Sequence, residues 1–105
     1  MNIHFAYANT LSRNFARHHL AGSESDISVT TSGSLAAGIE ATNNLETLDA
    51  VMLDMQMPDM NGLQGLRNFR HSCRHKAPIS LTAASMYWLS SDNIMGAGAA
   101  SFLPY

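Results

Sequence analysis

The feature that most constrains this chain is a regular alternation. Short apolar runs are separated by segments whose apolar residues recur at helical spacing. Ile3-His4-Phe5-Ala6 is the first run. Residues 10–20 then place Leu11, Phe15 and Leu20 near helical spacing, with Thr10 as a plausible N-cap and Gly22-Ser23 as a breaker. Ile27-Ser28-Val29-Thr30 alternates apolar and polar, as a half-buried or edge strand does. Residues 35–45 form a weakly apolar helix through Leu35, Ala36, Ile39 and Ala41, ended by Asn43-Asn44. Ala50-Val51-Met52-Leu53 is apolar without alternation, which suits a strand covered on both faces. A loop punctuated by Pro58, Asn61 and Gly62 leads to a helix carrying Leu63, Leu66, Phe69 or Arg70, and Cys73. Ile79 to Thr82 is a further strand, residues 85–95 a fourth helix, and Ser101-Phe102-Leu103 a last strand.

The order β-α-β-α-β-α-β-α-β predicts an α/β fold: one parallel sheet with helices on both faces and right-handed crossovers. In such sheets the working site lies at the carboxyl ends of the strands. That rule points to Tyr7-Ala8, Asp54, Thr82 and Tyr105.

Composition narrows the function classes. Lys and Arg number 6 against 8 Asp and Glu, a net charge of −2, so a strongly basic nucleic-acid module is excluded. Hydrophobic residues make up 46% and charged residues 13% of the 105, enough for a single domain to build a core. Cys73 is the sole cysteine, which removes any internal disulfide or multi-cysteine metal site and suits a small buried residue. No apolar run reaches the length of a membrane span and no signal peptide is visible, so the expected compartment is the cytoplasm. There is no nucleophile–base pair, phosphate loop or cofactor fingerprint, so the chain is not expected to be an enzyme.

Residues 49–62, DAVMLDMQMPDMNG, resemble the third strand and following loop of CheY-like response-regulator receiver domains. The combination is specific: an apolar strand ending in Asp, then Met-Pro, then Met-Asn-Gly opening a helix. Leu81-Thr82-Ala83 resembles the family's fourth strand, and Gly98 to Pro104 the entry to its fifth. The resemblance extends over nearly the whole chain and is nearest to receivers that carry a helix-turn-helix output domain. It implies a flavodoxin-like (βα)5 three-layer sandwich with strand order 2-1-3-4-5, an order that comes from the resemblance and not from periodicity. It also implies two-component signalling, in which a histidine kinase's phosphoryl group passes to Asp54. Thr82 matches the hydroxyl that turns toward that group, and Phe102 the aromatic whose rotation reports it. Gln56 matches the position whose backbone carbonyl helps to hold Mg²⁺ beside Asp54.

The chain departs from the pattern in two places. Receivers carry an acidic pair after the first strand, and Tyr7-Ala8 occupy those positions here; residues 1–23 contain no Asp or Glu. Mg²⁺ demands oxygen ligands, usually carboxylates, and Asn9 would be a weak substitute. The family's lysine after the fifth strand is replaced by Tyr105, and the only lysine is Lys76. Asp54 and Thr82 remain. The expectation is therefore an atypical, degenerate receiver with weak or absent phosphorylation. The rivals are a conventional phospho-acceptor using Mg²⁺ and a binder of an apolar metabolite in a crevice formed by Tyr7, Ala8 and Tyr105.

The chain ends at Tyr105, before the family's fifth helix. It is expected to be a single receiver domain, 1–105, from the N-terminal part of a longer regulator, with an apolar strip facing water where the fifth helix would lie. DNA contact would belong to a domain outside this chain. A homodimer or an output domain would use the face of the fourth helix and fifth strand, where Met86, Tyr87 and Trp88 begin that helix. Arg67, Arg70, His71, Arg74 and His75 form a stripe expected to be a solvated face rather than an anion patch. His4, His18 and His19 are expected at the surface, and Met57 and Met60 as loop packing around Asp54.

Overall fold

The uniformly apolar run at 50–53 becomes the third strand of a five-stranded parallel sheet, paired on both sides. The computed structural model describes residues 1–19, 27–83 and 101–104. Its elements are β1 (Asn2–Ala6), α1 (Thr10–His19), β2 (Ser28–Ser32), α2 (Leu35–Asn43), β3 (Ala50–Asp54), α3 (Leu63–Ser72), β4 (Ile79–Ala83) and β5 (Ser101–Pro104). The strand order is β2-β1-β3-β4-β5, the flavodoxin-like order expected. The expected helix at 85–95, with Tyr87 and Trp88, lies outside the described residues, as does Tyr105.

Side chains two apart on a strand share a face. His4 and Ala6 of β1, with Val51 and Leu53 of β3, point toward α2 and α3. A Cβ built on Gly38 of α2 would sit 3.4 Å from Ala6 and 3.5 Å from Phe69 of α3. Leu53, Leu66, Phe69, Ile79 and Leu81 are completely buried there. On the opposite face Ala50 and Met52 are only half-buried, because α1 packs over β1 and β2 and does not reach across β3. The expectation that β3 is sealed on both faces therefore holds for one face among the described residues.

Several local expectations are corrected. The N-cap of α1 is Asn9, not Thr10: its Oδ1 accepts from the amides of Leu11 (2.8 Å) and Ser12 (3.3 Å). The inward stripe of α1 is Ser12 and Ala16, one turn apart, which leaves Leu11 77% and Phe15 62% exposed. β2 begins one residue later and ends two residues later than its apolar-polar pattern suggested, because its ladder with β1 runs from Ser28 to Ser32. In α2 the buried residues are Leu35, Gly38 and Thr42. Ala36 faces solvent, and the Thr42 hydroxyl is satisfied by donating to the Gly38 carbonyl at 2.8 Å. Cys73 is buried as expected.

α3 ends at Ser72, so Arg74 and His75 of the expected basic stripe lie beyond the helix, and the stripe is neither an anion patch nor a purely solvated face. Arg70 donates to the carbonyl of Ala77 at 2.7 Å. Arg74 donates to the carbonyls of Asn43 and Leu45, and His75 contacts the Leu45 carbonyl at 3.0 Å. Asn43 answers by donating to the Ser72 carbonyl and accepting from the Arg74 amide. The orphan carbonyls at the ends of α2 and α3 are thus bound by side chains of the neighbouring segment. Arg67 and His71 are exposed.

Arg74→Met removes this clasp and is expected to lower unfolding stability by about 1 kcal/mol, while Arg67→Ala stays within about 0.5 kcal/mol; urea denaturation measures both. Gly65 gives a sharper test. A Cβ there would lie 2.2 Å from the Met60 carbonyl oxygen and 2.7 Å from its Cα, both backbone atoms. Gly65→Ala should therefore cost about 2–3 kcal/mol by forcing α3 away from the preceding loop.

Candidate functional site at the carboxyl edge of the sheet

The sheet's register collects the expected site residues. Asp54 ends β3 and pairs directly with Thr82 on β4. Leu81, one residue before Thr82, pairs with Phe102 on β5. Ala6 pairs with Leu53, so Tyr7 follows beside Asp54 on the other side. Asp54 is 3% exposed, and its Oδ1 accepts from the Gln56 amide at 2.9 Å, closing a tight turn as the chain leaves β3.

The loop from Met55 to Gly62 is held from beneath and from the side. Met57 and Met60 are buried in the core, which bears out their reading as loop packing; Met55 is half-buried against the same core. Asn61 (φ 53°) and Gly62 (φ 65°) both take the left-handed region, and this explains the Asn-Gly pair before α3. Asp59 provides the lateral hold. Its Oδ1 accepts from the Leu35 amide at 2.8 Å and its Oδ2 from the Ala36 amide at 3.0 Å. Ser34 adds a third cap, accepting from Ala37 at 3.1 Å. The loop after β3 therefore caps the helix after β2. Partial desolvation acts to raise the Asp59 pKa, but the amides of Leu35, Ala36 and Asp59 itself outweigh it and hold it below the ordinary carboxylate value.

The β1–α1 loop contains a second unforeseen arrangement. Arg13 of α1 reaches back, donating to the carbonyls of Tyr7 (2.6 Å) and Ala8 (2.9 Å) and to the Thr10 hydroxyl (3.1 Å). The two positions where the family carries carboxylates thus offer none, and their carbonyls accept from a guanidinium. Asn9, weighed as a metal oxygen, is spent on capping α1. Mg²⁺ does not fit this donor set. Among the described residues no group of three or more His, Cys, Asp or Glu could hold a metal ion, and the nearby Asp59 carboxylate is committed to α2.

Beside the site, Phe5, Tyr7, Leu11, Ser12, Phe15 and Ala16 line an open cleft of about 430 Å³ between β1 and α1. The Phe5 and Tyr7 rings lie 5.9 Å apart, tilted by 47°. Leu11 and Phe15 leave apolar surface exposed along this cleft. The crevice expected from Tyr7, Ala8 and Tyr105 is not this one: Tyr7 lines the cleft, Ala8 does not, and Tyr105 is outside the described residues.

Asp59 and Arg13 were not singled out as site residues by the sequence, and His4, expected at the surface, is instead completely buried on the core face of β1. The available signal for Arg13 was the acid-free stretch 1–23, which leaves a cation there with backbone carbonyls as its nearest acceptors. For Asp59 no local signal exists, since its partners are 23 and 24 residues away.

The response regulator receiver domain family matches residues 9–104, and the chain belongs to that family. It is thus a receiver domain of the two-component signalling type, a class of generally non-enzymatic signalling modules. Similar solved structures agree in fold. A receiver domain protein from Clostridium thermocellum has a TM-score of 0.80 at 20% identity, covering 98% of this chain and 80% of its own. Vibrio cholerae chemotaxis protein CheY4 has a TM-score of 0.83 at 17% identity, with 98% and 84% covered. A Burkholderia pseudomallei response regulator, solved with a phosphorylated aspartic acid, calcium ion and citrate, has a TM-score of 0.81 at 13% identity, with 98% and 58% covered. Comparison with curated protein sequences gives no significant match. No helix among the described residues is long and apolar enough to cross a membrane.

Asp59→Ala should cost about 1 kcal/mol at neutral pH, the usual loss on removing a helix N-terminal cap. Because the folded carboxyl is depressed, its contribution is present above the ordinary value of 3.8 and is lost as the pH falls through the folded value. The difference between wild type and variant should therefore close at acid pH in paired denaturation curves.

Proposed function

We propose that this chain is an atypical receiver that regulates a transcriptional output through protein–protein contact, with weak or absent phosphorylation of Asp54. One observation carries the reading. Where phosphoryl chemistry needs paired carboxylates and a cation, β1 is followed by Tyr7 and Ala8, and their carbonyls accept from Arg13. Phosphoryl transfer to an aspartate is mostly positioning and charge neutralisation. A site with Asp54 but without the acidic pair for a divalent ion forfeits the larger part of both. Asp54 is the acceptor position, Thr82 and Phe102 are the switch positions, and Gln56 would join a metal site only if one formed. The replacement of the family lysine by Tyr105 removes the remaining cationic contact to a phosphoryl oxygen.

On this reading the signalling surface outlives the chemistry. The fold, the loop at 54–62 and the sheet edge at β5 remain available to a partner, and β5 is an edge strand in the described order. A histidine kinase, a second copy or an output domain using the fourth-helix and fifth-strand face are the partners in question. DNA would be met by a domain outside this chain, and the compartment would be the cytoplasm.

Intact-mass analysis with acetyl phosphate, with and without Mg²⁺ and beside Asp54→Ala, tests the proposal. The expected outcome is a folded protein with no phosphate adduct in any arm. A Mg²⁺-dependent adduct that disappears in Asp54→Ala overturns it and restores the conventional phospho-acceptor reading. The aromatic cleft beside Tyr7 favours a second reading, a pseudo-receiver that binds a small apolar ligand. A thermal shift with small aromatic compounds, abolished by Phe15→Ser, would support it.

A further inference from the structure

His4, expected at the surface, sits in the core. It lies on β1 with no exposed surface, on the face covered by α2 and α3. One ring nitrogen, Nδ1, is 2.7 Å from the Thr30 hydroxyl, and the other, Nε2, is 2.9 Å from the Ser32 hydroxyl. Both hydroxyls belong to β2, the edge strand, which pairs with β1 alone. Two side-chain bonds therefore reinforce the backbone ladder at the strand that has the fewest other attachments. β2 is also mostly unburied, whereas β3 on the other side of β1 has Val51, Leu53 and Asp54 buried.

Among the described residues, no acid stands against this ring to neutralise a charge on it. From β2 it meets hydroxyls, and its β3 neighbour is Val51. The one charged residue of α2, Glu40, is exposed. On α3, Arg67 and His71 are exposed and Arg70 is turned to the Ala77 carbonyl, and none of the three is an acid. On the far face, α1 carries Arg13, Arg17 and His18, again without an acid. A proton on His4 would place an unpaired cation in the core, which a fold avoids by hydrating the group. The least costly path to water is past the edge strand.

We infer that His4, Thr30 and Ser32 form an acid-operated latch, in which a proton on His4 releases β2 from β1 while β1, β3 and β4 remain folded together. The latch adjoins the site. The Tyr7 amide donates to the Ser32 carbonyl at 3.0 Å, and Ser34, two residues on, caps the same helix terminus that Asp59 holds. Release of β2 would therefore loosen the carboxyl edge as well. Desolvation lowers the folded His4 from 6.5 to about 4, so the closed latch carries its full stability above 6.5. Below that, the opened form takes up the proton first. The population of opened β2 should rise roughly twenty-fold between pH 7 and pH 5, the ratio these two values give by linkage.

Amide hydrogen exchange read residue by residue by NMR at pH 7 and pH 5, corrected for intrinsic rates, tests the latch. The expected result is a roughly twenty-fold loss of protection at residues 28–32 with little change at residues 50–54, and loss of this contrast in His4→Gln. A parallel fall in both strands, an unchanged β2, or a contrast that persists in His4→Gln overturns the proposal. Should His4→Gln fail to fold, the wild-type His4 ring is followed by NMR through the same range. The latch requires the ring to stay neutral in the closed form and to take its proton as β2 protection is lost. A ring that titrates near 6.5 with β2 still protected overturns it.

Discussion

A parallel strand paired on both sides must send its chain away at the carboxyl end and bury what lies beneath it. β3 imposes this on the rest of the molecule. Its neighbours β1 and β4 occupy both hydrogen-bonding edges, and Val51 and Leu53 occupy the core face. The chain therefore turns at once after Asp54. Met57 and Met60 fill the space under the turn, two left-handed residues redirect it, and Gly65 lets α3 lie against the Met60 backbone. The position of Asp54 beside Thr82 is a consequence of this geometry and does not depend on any chemistry performed there. That is why the arrangement persists in a chain without the acidic pair.

Polar groups are satisfied across the fold more than along it. Asp59 binds the loop after β3 to the start of α2. Arg74 and Asn43 bind the end of α2 to the end of α3, and His4 binds β1 to β2. With charged residues only 13% of the chain, these few side chains carry connections that a more charged domain would spread over a surface network. Beside the site the cation is Arg13, which points its donors at the carbonyls of Tyr7 and Ala8.

Much of the fold was legible because its signals are local or repetitive. The unalternating run at 50–53 and the Met-Pro and Met-Asn-Gly punctuation specify strand, turn and helix within a few residues of one another. The candidate site was legible to the extent that it lies at strand ends, which is where Tyr7, Ala8, Asp54 and Thr82 stand in the register. The basic stripe misled because α3 ends at Ser72, which puts Arg74 and His75 beyond the helix, where His75 meets a carbonyl 30 residues away. The exposure of Leu11 and Phe15 was similarly hidden. Their spacing marks a helix face, but which face turns inward depends on where α1 crosses the sheet.

The sequence by itself determined the order of strands and helices, the parallel architecture, the Asp-bearing turn and the absence of the acidic pair. Each is a property of residue type at a given position or of a period of a few residues. Only the tertiary structure decided that Asp59 caps α2, that Arg13 takes the carbonyls of Tyr7 and Ala8, and that His4 is sealed between two hydroxyls. The physical reason is the same in the long-range cases. A hydrogen bond of His4 or Asp59 joins groups more than 20 residues apart, and its existence depends on strand register and helix placement that no local pattern encodes. For Arg13 the partners are near in sequence, but its choice of carbonyls over water depends on how α1 sits against the end of β1.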